Sequence, residues 1–143
     1  MNINMNNYGI VRGRLTEDPR FYTNKDGSKK VTIRVAVQNN YVSKSSGERE
    51  SQFLPFEAMI AKDAADDGVY ARIHKGDKIG VQFELKNNNW TDKNGEKHFD
   101  IVMAIRQISL EESKTVTDNR LAQRAATAPS PEDAAADSVP DEA

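Results

Sequence analysis

Hydrophobic residues recur at every second position in three stretches of the chain. Val31, Ile33, Val35 and Val37 alternate with Thr32, Arg34, Ala36 and Gln38. A period of two sends one set to a buried face and the other to solvent, which predicts a strand. The set Ile79, Val81, Phe83 and Leu85, and then Phe99, Ile101, Met103 and Ile105, repeats the pattern. Two further apolar stretches, Ile10 to Leu15 and Gln52 to Ala61, predict two more strands, with Pro55 pointing to an edge or a bulge. Turn residues separate these elements at Asn24–Gly27, at Lys44–Glu48, and over a long polar tip from Asn87 to Gly95 that holds Trp90. Between the third and fourth strands, Ala64, Ala65, Val69 and Ile73 fall at helical spacing. They predict one helix over Lys62–His74, weakened by about 1 kcal/mol by Gly68 relative to alanine and ended by Lys75-Gly76-Asp77.

Five antiparallel strands with one helix between the third and fourth is the order of an all-β OB-fold barrel, which hides its edges by closing on itself. A small open α+β sheet fits the same pattern. After Thr115 the apolar signal fades, and Ala128–Ala143 is rich in Ala, Pro, Ser, Asp and Glu. Residues 1–113 are therefore expected to form the folded domain. Residues 114–143 are expected to form a disordered acidic tail, with at most a transient helix over Thr117 to Ala126.

Charge sharpens this division. The 143 residues carry 20 Lys+Arg and 22 Asp+Glu, net −2. Residues 1–114 are net +2 and residues 115–143 net −4, and all ten aromatic residues lie in the first 99. With no Cys there is no disulfide, thiol nucleophile or thiolate zinc site. Two histidines, His74 and His98, fall short of a three-His metal centre, so no metal or other cofactor is expected. No apolar run approaches the roughly 20 residues that span a bilayer. The N-terminus lacks the features of a signal peptide, so a cytoplasmic protein is expected. No nucleophile elbow or phosphate loop is present, and no catalytic set assembles.

What stands out is the company that the aromatic residues keep. Phe21, Phe56, Phe83 and Tyr70 are expected in the core. Tyr22, Tyr41 and Trp90 lie in or beside polar loops, near Arg20, Lys25, Lys44 and Lys93. Exposed rings beside cations suit single-stranded nucleic acid, whose bases stack at about 1–3 kcal/mol each while cations follow the phosphates. Capping of the core ends is the alternative use of Tyr22 and Tyr41. Arg14, Arg34 and Lys86 are further electrostatic candidates.

Several segments carry a family resemblance. They are Gly13-Arg14-Leu15-Thr16-Glu17-Asp18-Pro19, Phe21-Tyr22-Thr23, Ile33-Arg34-Val35-Ala36-Val37, Lys44 to Glu50, Lys75-Gly76-Asp77 and Trp90-Thr91-Asp92-Lys93-Asn94-Gly95. In this order over about residues 3–112, the chain resembles the bacterial single-stranded DNA-binding protein family. The resemblance implies an OB-fold, a homotetramer, and coating of single-stranded DNA during replication, recombination and repair at the nucleoid. It implies stacking roles for Tyr22, Tyr41, Phe53 and Trp90 and a basic role for Lys62. Met59 stands where the family often has Phe or Trp, and a thioether contacts a base less well than a ring. Asn88 and Asn89 replace frequent cations, and Arg12 replaces an apolar residue; together these imply weaker or more salt-sensitive binding. The end, Asp137-Ser138-Val139-Pro140-Asp141-Glu142-Ala143, lacks the family's terminal aromatic. Tail-mediated recruitment of replication or repair partners is therefore not expected. Two other functions fit an OB-fold: a protein-interaction adaptor of a replication or mobile-element complex, and a metal-dependent nuclease.

Overall fold

The computed structural model describes residues 6–127, in two units that divide between Glu112 and Ser113. The first unit holds β1 (Gly9–Leu15), β2 (Arg20–Thr23), β3 (Lys29–Gln38), β4 (Ser51–Ile60), β5 (Lys78–Thr91) and β6 (Lys97–Leu110). The sheet order is β1-β5-β6-β4-β3-β2, with a further pairing of β1 to β3. Because β1 meets both β5 and β3, the pairings of five strands close into a ring, the strand order of an OB-fold. The short β2 lies on the outer edge of β3. Every pairing is antiparallel except that of β4 with β6, which is parallel and made at Glu57 and Ala104.

The core is built from the alternating positions. Val31, Ile33 and Val35 of β3, Phe56 and Ile60 of β4, and Ile79 and Val81 of β5 are buried together with Leu15 and Ile73. Burying each such side chain contributes about 1.5–3 kcal/mol. Phe56 meets Phe83 edge-on at 5.1 Å between ring centroids, the favoured geometry for two quadrupoles.

Two of the sequence motifs are bound to each other. Leu15 donates its N–H to the Asp77 carbonyl at 3.0 Å and accepts from Gly76 at 2.8 Å. Asp18 accepts the Lys75 N–H at 2.9 Å, and the Arg14 guanidinium reaches the Gly76 carbonyl at 2.9 Å. The buried Asp77 carboxylate caps the His74 N–H at 2.9 Å. The Gly-Arg-Leu-Thr segment and the Lys-Gly-Asp turn thus form one joint, which satisfies buried backbone groups where the ring closes.

The structure corrects several expectations. The one helical element expected between β4 and β5 is present, but as a 3-10 helix over Gly68–Ala71 rather than a helix over Lys62–His74. Gly68 has φ +62, and the Asp66 carboxylate accepts its N–H at 2.8 Å, so an Asx turn competes with helix in the middle of the expected span. Ala64 and Ala65 are exposed, while Ile73 is buried by the turn that follows. A strand not foreseen, β2, pairs Tyr22 with Lys30, and Phe21 is 40% exposed on it rather than in the core. Residues Asn87–Thr91 are strand, so the tip is only the turn after them. Phe99 and Ile101 keep the inward phase but lie where the β5–β6 hairpin outruns the core, and both are exposed. Pro55 causes no register break: β4 pairs continuously with β3, and its other edge is open beyond Glu57.

In the second unit, Lys114–Thr127 form the helix α1, which contains the Thr117–Ala126 span expected to be at most transiently helical. Ser113 caps it, accepting the Val116 N–H at 3.3 Å, and Lys114 pairs with Asp118 one turn on at 2.6 Å. No residue of α1 is buried, so local propensity and capping hold it without the apolar stripe that betrays most helices. The disorder expected for residues 128–143, and the tip Asp137–Ala143, lie outside the described residues.

Candidate nucleic-acid interface

Residues directly opposite in a ladder share a face. Strand register therefore fixes which candidates stand together. Tyr22 of β2 is opposite Lys30 of β3, which is opposite Met59 of β4. Arg34 is opposite Pro55, and Ala36 is opposite both Arg14 and Phe53. Glu57 lies on the same face and links through Ala104 to Glu84 of β5. Two residues further on in the same phase is Lys86, and two steps beyond that is Trp90. Tyr22, Arg34, Phe53, Met59, Lys86 and Trp90 thus share one outward face. Phe53 is 61% exposed and Trp90 46%. A groove between β4 and the β5–β6 hairpin is lined by Lys30, Met59, Lys86, Asn88 and Val102.

Lys30 was not picked out from the sequence. Its outward phase in β3 was the available signal, and its ammonium lies 3.4 Å from Glu57. Lys86 lies 3.5 Å from Glu84. Arg14 is on the same row as Phe53, but its guanidinium is committed to Glu112 at 3.2 Å as well as to Gly76. Arg34 projects into solvent from the middle of β3. Lys62 is exposed just past the end of β4, near Gly27 of the β2–β3 turn. Tyr41 is 64% exposed beyond the end of β3, in a separate groove with Ile10, Arg12 and Val37.

The hairpin tip explains the Trp-Thr-Asp-x-x-Gly motif. Asp92 pairs its backbone with Glu96, and its Oδ1 accepts the N–H groups of Asn94 at 2.8 Å and Glu96 at 2.9 Å. Gly95, at φ +81, takes the left-handed position that the turn requires. Trp90 faces His98 across the ladder, the rings stacked at 4.2 Å and 15°. The indole Nε1 donates to Asp100 Oδ2 at 2.9 Å, and His98 Nε2 lies 2.8 Å from Asp92 Oδ2. Asp92, Glu96 and His98 bring three donor atoms within 4.8 Å of one another, a grouping not read from the sequence.

The Asp92 carboxyl is held below the ordinary 3.8 first by the His98 hydrogen bond and then by the backbone N–H of Glu96, against an opposing effect of burial and with further help from the Asn94 N–H. A depressed carboxyl stabilises the folded turn above its unfolded value, and that contribution is lost as pH falls through the folded value. Acid titration of Trp90 emission is expected to show a transition below about pH 4 that Asp92→Asn abolishes. Identical acid profiles for the two proteins would overturn this assignment.

The structure thus joins an OB-type strand ring to aromatic rings and cations gathered on one outward face. The model of the single-strand binding protein family matches residues 5–111. The chain belongs to that family. It is 29% identical over 116 residues to single-stranded DNA-binding protein 1 of Staphylococcus aureus, covering 81% of this chain and 72% of that one. It is 33% identical over 97 residues to the single-stranded DNA-binding protein of Caldanaerobacter subterraneus, covering 66% and 61%. The Deinococcus radiodurans single-stranded DNA-binding protein is 30% identical over 88 residues, covering 62% of this chain and 28% of that protein. Among the described residues no helix is long and apolar enough to cross a membrane.

Proposed function

We propose that this chain is a non-catalytic protein that coats single-stranded DNA with little sequence preference, in replication, recombination or repair. The observation that carries this reading is the shared outward face of Tyr22, Phe53, Met59 and Trp90 with Arg34 and Lys86. Bases stack on the rings, and phosphates follow the cations together with Lys62. Tyr41 serves a strand that continues past the end of β3. Stacking and phosphate contacts carry little base identity, so preference among sequences is weak. The binding domain is residues 1–113, and residues 114–143 form an acidic appendage that competes for the cationic face. The protein works as a homotetramer in the cytoplasm, at the nucleoid.

Trp90 is the single tryptophan, so its emission reports the site. Titration with an oligothymidine is expected to quench that emission to saturation, while an equal length of duplex leaves it unchanged. Unaltered emission at saturating oligothymidine would overturn the stacking role. Solution mass with and without a long oligothymidine reports the oligomer and its stoichiometry together.

A further inference from the structure

We propose that His98 is a positioning residue that holds Trp90 ready for a base and leaves one indole face to it. The inference rests on the stacking role of Trp90 given above. Trp90 stands on a two-stranded ribbon that runs beyond the core, where Phe99 and Ile101 of the same ribbon are exposed. Core packing therefore cannot fix the indole. An unrestrained tryptophan on such a ribbon samples several rotamers and loses that freedom when it binds, which weakens binding.

The structure supplies the restraint locally. The imidazole of His98 covers one face of the indole at 4.2 Å with the rings 15° from parallel. The indole edge is fixed by Asp100 at 2.9 Å. The imidazole is in turn fixed by Asp92 at 2.8 Å, and Asp92 is fixed by two backbone N–H groups of the turn. The order of restraint runs from turn to carboxylate to imidazole to indole, with each link made by a different atom. Because His98 occupies one face, a base stacks on the opposite face. Trp90 then engages a single base and is not sandwiched between two.

The test measures oligothymidine affinity and Trp90 anisotropy decay in the full chain and its variants. His98→Ala is expected to weaken binding about two- to tenfold, the range of a lost aromatic pair, and to increase local motion of the indole. His98→Phe, which keeps a ring but not the Asp92 bond, is expected to recover only part of the affinity. In a Trp90→Ala background, His98→Ala is expected to change nothing further. Should His98→Ala lower the thermal midpoint, His98→Gln tests the same loss of the ring. If Trp90→Ala weakens binding and His98→Ala does not, the positioning role is overturned while the stacking reading stands. Equal effects of His98→Ala with and without Trp90 overturn it too. If Trp90→Ala leaves affinity unchanged, the stacking reading fails and this inference fails with it.

Discussion

Replacing Tyr22, Phe53 and Trp90 together by alanine is expected to weaken oligothymidine binding by at least about 100-fold without unfolding the protein. Each base–aromatic stack contributes about 1–3 kcal/mol, so three at the low end already reach that factor. All three rings are exposed, and none belongs to the buried core. Surface substitutions of this kind change stability by about 0.5 kcal/mol or less each, so the thermal midpoint is expected to move by only a few degrees. The salt dependence separates rings from cations. Removing rings releases no counterions, so the slope of log affinity against log salt is expected to stay the same in the triple variant. Replacing Arg34, Lys62 and Lys86 is expected to lower that slope by about 0.7 for each phosphate left without its cation. A triple-aromatic variant that binds within threefold of the parent would place the site elsewhere, whatever the slope.

The alternating strands were legible because each had a face to bury. Val31, Ile33 and Val35 read as a strand from their period alone, and all three are buried. The far half of the β5–β6 hairpin was not legible in this way. Asn87, Asn88 and Asn89 carry no apolar period, since both faces of the ribbon meet solvent there. Phe99 and Ile101 do carry the period, but the period reports strand and not burial, and the strand outruns the core. The stretch Lys62–His74 misled in the opposite sense: Val69 and Ile73 are a turn apart because a 3-10 turn and its exit pack them, while Gly68 and Asp66 prevent a helix. The helix α1 has no buried stripe, so only a transient helix over Thr117–Ala126 could be read for it.

For the candidate site, residue types were legible and partnerships were not. Trp90 and Phe53 stand out in any reading of rings against polar neighbours. That Arg14 is held by Glu112, 98 residues away, follows only from the β1–β5–β6 order, which sets Arg14 opposite Lys78 and Lys78 against Glu112. His98 lies opposite Trp90 only if the turn is counted correctly through Asp92 and Gly95, and a tip drawn from Asn87 to Gly95 hides that pairing. Gly13 belongs to the Gly-Arg-Leu-Thr motif, but the need for it is spatial and appears only where β1 meets β3.

That need makes Gly13→Ala the most damaging alanine substitution expected among the described glycines. A Cβ at Gly13 would lie 2.1 Å from the Ala36 carbonyl oxygen and 2.9 Å from both the Ala36 carbonyl carbon and Val35 Cγ1. Two of these obstacles are backbone atoms of β3, so no rotamer change relieves the clash; β1 must move outward. That movement breaks the pairing of Arg14 with Ala36 and of Leu15 with Val35, together with the 3.0 Å bond from Thr16 N–H to the Arg34 carbonyl. These pairings close the ring, and behind them lie Leu15 and Val35, both buried. The expected loss is at least about 3 kcal/mol, beyond ordinary overpacking because the backbone itself is displaced. For a domain of this size the thermal midpoint would fall by on the order of 15 °C. Gly47→Ala is the control. Gly47 has φ +71 and nothing within 4 Å of its added Cβ, so it incurs about 1 kcal/mol of left-handed strain and no clash. If Gly13→Ala unfolds no earlier than Gly47→Ala, the close approach of β1 to β3 is not what holds the ring shut. If it unfolds far earlier, single-strand binding is expected to fail above its midpoint, because Arg34, Phe53 and Met59 share their face only while β3 and β4 stay paired.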